Sequence, residues 1–481
     1  LEVSRGEFIS EPEWQYMIHR PLEAERGLDP DSDLFSPGYF SLFMEGGHQE
    51  ILSADMEDTP LPEIVPAPEP DPDLRKAVAP DRVLKNSLDH YVVQRRPLKS
   101  VIAGYPWFLD WGRDALIFTR GLIAGRRLDD ARAILEQFGR FEKDGTIPNM
   151  IRGQDAANRD TSDAPLWFIV ACRDLVDTNG SPHFLDSTWH RRSLRRILLS
   201  IGHSLIAGTP NGIRMDPDSG LLFSPAHYTW MDTDHPAGTP REGYPVEIQA
   251  LWYAALQFLN RIDTDDAADT WKQLAAQARS SITNLYFIPK KGYLSDCLLA
   301  KSGTSARQAE PDDALRPNQL LALTLGALTE PAAAASVLAA CEELLVPGAI
   351  RSLADRPVDH PLEIVHHGER VNDPHHPYAG RYTGDEDTQR KPAYHNGTAW
   401  TWLFPSYCEA WAIVFGEPGR TAARAWLGSG MQHLGRGCLG HVPEILDGNY
   451  PHTARGCDAQ AWGASELLRV WLKLDSPIDK A

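Results

Sequence analysis

The sequence predicts an all-α protein of the (α/α)6 barrel class, preceded by a short β-rich segment. Two observations predict it. From about residue 81 two kinds of helical segment alternate six times, and the links joining them are unequal in length. One kind is amphipathic: in 264–285, Trp271, Leu274, Ala275, Ala278, Ile282 and Leu285 share a side, with Lys, Gln and Arg between them. The other is apolar nearly all round, as in PVEIQALWYAALQFL at 245–259, where Pro245 suits a first helical position. Six half-wet and six dry helices in alternation describe an outer ring around an inner one. An irregular solenoid of helix pairs would need a more even repeat.

In chain order, residues 1–58 read as extended and β-rich, with a hairpin expected between 39–45 and 49–55 across the Gly46-Gly47 turn. Too short to bury a sheet alone, this segment reads as the remnant of a larger N-terminal sandwich domain. Residues 59–80, dense in Pro and acidic residues, read as a linker. The barrel is expected over 81–481. Its amphipathic helices fall at 83–94, 128–142, 190–207, 264–285, 330–345 and 418–434. Its dry helices fall at 114–124, 163–175, 245–259, 317–326, 398–414 and 461–474, and Pro405 is expected to kink the fifth of them. Links from dry to amphipathic helices are short. The reverse links are long, at about 95–113, 143–162, 208–244, 286–316, 346–397 and 435–460. Alternation puts these six loops at one end of the barrel. Long loops in a compact domain are usually functional, so the site is expected there.

Bulk properties narrow the partners. A net charge of −19 over 481 residues argues against nucleic acid, which needs a basic surface. No apolar run approaches the roughly 20 residues that span a membrane, so no membrane partner is expected. The start, LEVSRGEF, lacks a signal core and opens on Leu1, which reads as a processed or cut end. Six cysteines without a CxxC pair read as buried free thiols of a reducing compartment, and the cytoplasm is expected. Fourteen tryptophans are many for this length. Most belong in a core, but several lie in loops beside carboxylates, where a flat ring with a polar edge suits the face of a sugar.

Several loop residues are able to carry chemistry. In GYPWFLDWGRDA, Asp110, Arg113 and Asp114 sit among Trp111 and other aromatics, and Arg with Asp forks hydrogen bonds to adjacent hydroxyls. Asp114 is equally read as a helix cap with an Arg salt bridge. The second loop offers Asn149, Arg152 and Asp163, the last also a plain cap. In the third, Asp232 follows Trp230 and Met231, and an aromatic wall is the setting that raises a carboxyl pKa. Asp234, Glu242 and Glu247 are further carboxylates there, Glu247 also suiting the positive end of its helix. In the last loop Glu444 follows Pro443 among glycines and is placed to act as a base toward water, with Asp447 and Asp458 as rivals. His360, His366, His367, His375 and His376 cluster without a metal-binding spacing, so no metal is expected. Motifs of serine hydrolases, P-loops and dinucleotide folds are absent.

WFLDWGRDA, TIPNMIRG, YTWMDTD, PVEIQALWYAAL, RPNQL, YHNGTAWTW and GHVPEILDG together resemble the amylo-α-1,6-glucosidase part of glycogen debranching enzymes, in order over about residues 81–475. RGLDPDSDLFSPGYF resembles the end of the β-sandwich that precedes the barrel in bacterial members. The resemblance implies an inverting glycosidase that removes α-1,6-linked glucose from glycogen or limit dextrins without a cofactor. It implies Asp232 as general acid and Glu444 as general base, with Arg113 and Asp114 holding the terminal glucose. Asp110, Trp111, Trp230, Asn149, Asp163, Arg241, Glu247, Asn396 and Trp400 are expected around the pocket. An acidic, His-rich insertion near 354–390 departs from the family pattern. The competing expectations are a glucoamylase- or trehalase-like enzyme on the same scaffold, and a non-catalytic glucan-binding module.

Overall fold

The computed structural model describes residues 1–25, 29–53, 79–153, 155–180, 182–189, 191–264 and 268–475, so the Pro-rich stretch 59–78 lies outside the described residues. The chain divides into two compact units. One takes the described N-terminal residues together with Thr383–Glu386, and the other takes the rest from Ala79 onward.

The N-terminal unit is built on one long antiparallel pair, β1 (Glu7–His19) with β2 (Asp31–Ser41), broken by register shifts after Ser10 and Gln15. Cross-strand aromatic pairs hold it, Phe8 with Phe40 at 5.1 Å and Trp14 with Phe35 at 5.3 Å between ring centroids. The hairpin expected between 39–45 and 49–55 does not form. Tyr39 and Phe40 pair backward with Ile9 and Phe8, and Leu52 and Ser53 pair with Val3 and Glu2. The longer register offered by 7–19 outweighs a local turn.

The second unit is mainly helical. Its α-helices of five or more residues, in order, are α1 (Pro80–Ser87), α2 (Gly112–Ala124), α3 (Leu128–Gly139), α4 (Ala164–Asn179), α5 (Leu194–Ala207) and α6 (Val246–Ile262). They continue as α7 (Ala268–Ser281), α8 (Leu320–Thr324), α9 (Pro331–Cys341), α10 (Phe404–Gly430) and α11 (Ala461–Asp475). The helices read as dry are mostly the buried ones: every residue of α2 but the last is buried, as are Val246–Leu256 of α6, whereas in α10 the buried run stops at Ala410 and Ile413 is exposed. They pack in sequence, α2 on α4, α4 on α6, α6 on α8, α8 on α10, α10 on α11, and α11 back on α2. The amphipathic helices lie against them, α3 on α2 and α4, α5 and α7 on α6, α9 on α10, and α1 on α11. One continuous core of Leu, Ile, Val and aromatic side chains joins the two sets.

Three local readings change. The segment read as a helix over 83–94 ends at Ser87 and a short 3-10 turn, after which Val92–Arg95 pairs with Leu98–Val101. Pro97 and the β-branched run before it favour extended backbone. Residues 398–403 are not helical: Ala399–Trp400 joins a five-stranded sheet. Pro405 therefore falls in the first turn of α10, where a missing N–H costs nothing, and it does not kink the helix. The break lies at Gly416 (φ 61°), ahead of Pro418. Among the described residues no helix is long and apolar enough to cross a membrane. No disulfide joins any of the six cysteines; five are buried and Cys438 is exposed.

Candidate active site

Six loops precede the buried helices: first 91–111, second 140–163, third 208–245, fourth 282–319, fifth 342–382 with 387–403, and last 431–460. Short β pairings and hydrogen bonds tie each to the next. Gly104–Tyr105 pairs with Ala459–Gln460, and Asp110–Trp111 with Met150–Ile151. Ser162 N–H donates to the Tyr228 carbonyl at 2.7 Å, and Gly243–Pro245 pairs with Cys297–Leu299. Arg316 Nη1 donates to the Ser352 carbonyl at 3.1 Å, and Ala399–Trp400 pairs with Ile445–Leu446. The loops are thus held by backbone pairing, a rigid support for side chains drawn from distant parts of the chain.

Between them lies a pocket with a cavity volume of about 110 Å³. Its apolar walls are Phe108, Trp111, Trp230, Tyr394, Trp400 and Trp462. Its polar residues are Arg113, Asp114, Asp232, His395, Glu444 and Gln460. Trp230 stands edge-on to Trp400 and Trp402, with centroids at 5.0 and 5.2 Å, and its indole N–H donates to Asn318 Oδ1 at 2.7 Å. That hydrogen bond fixes the wall beside Asp232.

The carboxylates have unlike surroundings. Asp232 accepts a 3.3 Å hydrogen bond from Arg113 Nη1, and about a third of its side chain is open. Burial raises its pKa, and Arg113 opposes that rise only in part. Glu444 is buried: Tyr394 O–H donates to Oε1, and Cys457 N–H donates to Oε2 at 2.8 Å. Both are contacts that an ionised carboxylate accepts. Asp114 accepts from Gln460 Nε2 at 3.3 Å. Its pKa is pushed up to about 7 by burial, against the pull of Arg113 and with the push of Glu444, Asp232 and Asp163.

Two ring nitrogens in the pocket wall, His395 Nε2 and Trp462 Nε1, are buried and have no hydrogen-bond partner. A buried polar atom left unpaired costs roughly 1–3 kcal/mol, so a hydroxyl-rich ligand that pairs with them gains that much back. Burial holds His395 well below the usual histidine range, so the ring is neutral. Aromatic faces, one deeply placed carboxyl that favours its proton and one carboxylate held by donors make a site for acid–base work on a polyol.

Of the residues expected from sequence, Trp111, Arg113, Asp114, Trp230, Asp232, Trp400 and Glu444 line this pocket. The others stand behind it with partners of their own. Asp110 accepts from Ser100 Oγ at 2.6 Å and Arg95 Nε at 2.8 Å. Asn149 is buried, and its carbonyl receives the Gly112 N–H that starts α2. Asp163 occupies the cap position of α4 but gives its side chain to Arg113 Nε (2.6 Å) and Thr161 Oγ1 (2.6 Å), not to the helix. Arg241 grips Glu247 through two bonds of 2.5 and 2.7 Å and Asp296 through a third of 2.6 Å. Asn396 accepts from Arg316 Nη2 at 2.7 Å.

Of the rivals, Asp234 is exposed beside His227 and His235, Glu242 pairs with Lys301, Asp447 accepts from Tyr382 N–H and Arg455, and Asp458 is exposed. Among the described residues no group of three or more His, Cys, Asp or Glu has the arrangement of a metal site. Sequence reasoning passed over Phe108, Tyr394, His395, Gln460 and Trp462. The signal was present, since Tyr394 and His395 open YHNGTAWTW, but nothing in the spacing says that Tyr394 reaches a glutamate fifty positions on.

The family model described as amylo-alpha-1,6-glucosidase matches residues 85–469, and that described as glycogen debranching enzyme N terminal matches residues 1–51. The glycogen debranching enzyme of Saccharomyces cerevisiae is 25% identical over 414 residues, covering 65% of this chain. The chain spans about a quarter of that relative's length (25%). Among solved structures, a glycosidase variant in complex with glucose superposes with a TM-score of 0.53 at 13% identity, covering 82% of this chain and 97% of its own. The GH63 mannosylglycerate hydrolase from Thermus thermophilus, also in complex with glucose, gives 0.52 at 12% identity, covering 81% and 99%. These last two likenesses are likenesses of fold.

Proposed function

The chain belongs to the amylo-α-1,6-glucosidase family, and on that premise we propose that its pocket removes single glucose units from α-1,6 branch points of glycogen or limit dextrins, with inversion. The observation that carries this reading is the pairing, in one aromatic pocket, of an acid about one-third open on the third loop with a donor-held carboxylate on the last. Asp232 gives its proton to the departing glycosidic oxygen. Glu444 takes a proton from a water that attacks the anomeric carbon from the opposite face, and the product leaves as β-glucose. Trp230, Trp400 and Trp462 bound the ring faces, while Arg113 holds the acid. Protein groups suffice for these steps, and an α-glucan is the only partner they need.

The helices that pack in sequence and return from α11 to α2 support an (α/α)6 barrel, with the pocket at the loop end. Residues 1–58, of which 26–28 and 54–58 lie outside the described residues, are read as the remnant of an N-terminal β-sandwich, a reading supported by the β1–β2 pair and by the family match over 1–51.

Glucose release from a limit dextrin tests the linkage. Isomaltosyl stubs are expected to be cleaved well ahead of maltosaccharides and trehalose, and faster turnover of trehalose overturns the branch-point reading. A second expectation concerns Gly456, in the left-handed region (φ 68°), where a methyl group would run into the Glu444 carboxylate. Gly456→Ala is expected to lower kcat by about 10²-fold through misplacement of Glu444, with little change in KM. Steady-state kinetics on the dextrin checks it.

A further inference from the structure

Arg113 is buried, and its guanidinium is divided three ways. Nε donates to Asp163 at 2.6 Å, Nη1 to Asp232 at 3.3 Å, and Nη2 to the Thr229 carbonyl at 3.0 Å. The shorter charged contact goes to a residue that does not line the pocket. The longer goes to the residue read as the acid. We infer that Asp163 is a positioning residue for that acid: it shares Arg113 with Asp232 and so leaves Asp232 able to carry its proton into the reaction.

The physical argument is one of charge division. An arginine facing a lone carboxylate in a buried site favours the ionised form strongly, which would spoil a proton donor. A second carboxylate on the same guanidinium offsets part of that pull through its own repulsion of the ionised acid. Both oxygens of Asp163 are engaged: Thr161 O–H donates to one and Arg113 Nε to the other, each at 2.6 Å. Other charges face Asp232 too. Asp114 lies beside Arg113 on α2, and Glu444 comes from the last loop. On its own loop Asp234 is exposed and paired with His227 and His235. His395 is neutral, and Arg241 and Arg316 stand behind it, both against Asp296. Of these groups only Asp163 touches the same guanidinium as the acid.

The inference rests on the reading of Asp232 as the acid. It is tested with the pH dependence of kcat/KM on the branched dextrin, for the whole protein and for Asp163→Asn, which keeps an oxygen for Arg113 Nε but loses the charge. The basic limb, where the acid loses its proton, is expected to move down by about one pH unit, and Asp163→Glu is expected to bring it back. The loss at neutral pH is expected to be much smaller on an aryl α-glucoside with an acidic phenol, whose departure needs little proton help. A merely structural role would depress both substrates alike. An unmoved basic limb, or equal losses on the two substrates, overturns the inference. Should the asparagine variant fail to fold, the unmodified protein still decides: a basic limb near the ordinary aspartate value of about 3.9 overturns it as well. Unchanged turnover in Asp232→Asn would instead defeat the reading on which the inference is built.

Discussion

Asp232→Asn is expected to lower kcat on a branched dextrin by about 10²–10⁴-fold, the usual contribution of a positioned general acid. The amide has nearly the shape of the carboxylic acid and still accepts the 3.3 Å hydrogen bond from Arg113, so the pocket and KM are expected to change little. What it lacks is a transferable proton for the leaving oxygen. Activity is therefore expected to return in part on an aryl α-glucoside with an acidic phenol. A variant that keeps full turnover on dextrin would remove Asp232 from the mechanism.

The largest effect on stability is expected at Arg241. Its guanidinium is buried and meets two buried carboxylates, Glu247 at 2.5 Å and Asp296 at 2.6 Å, and it also donates to Thr229 Oγ1 at 2.9 Å. Arg241→Met fills a similar volume but leaves both carboxylates without their main counter-charge. Removing one partner of a buried pair costs about 3–5 kcal/mol. A melting curve or a denaturant titration is expected to show that loss even without substrate. Thr229 accepts from Arg113 through its carbonyl and from Arg241 through its hydroxyl, so some activity is expected to go with it. Stability equal to that of the parent would mean that this network is not what holds the third loop.

These two residues mark what the sequence made legible. The buried helices were legible because burial on all sides leaves a run with no wet face, as in Val246–Leu256. The long loops before the buried helices were legible from lengths alone. The partners of charged residues were not. Asp163 to Arg113 spans 50 positions and Arg113 to Asp232 spans 119, and no periodicity encodes such pairs. Arg241 and Glu247 therefore read as pocket residues, although the structure seats them in a salt-bridge network behind Trp230. Tyr394 was passed over for the same reason: its bond to Glu444 depends on the sheet that sets Ala399–Trp400 beside Ile445–Leu446. Extended stretches were misread where a neighbouring strand, not the local pattern, decides the pairing, as at 39–45 and 398–403.

The central claim is an inverting pair, Asp232 as acid and Glu444 as base, acting on a terminal α-linked glucose. Proton NMR of the first product formed from a limit dextrin, read before mutarotation, tests it most directly. The account predicts β-glucose as the first signal, lost together with turnover in Glu444→Gln. α-Glucose as the first product would contradict it.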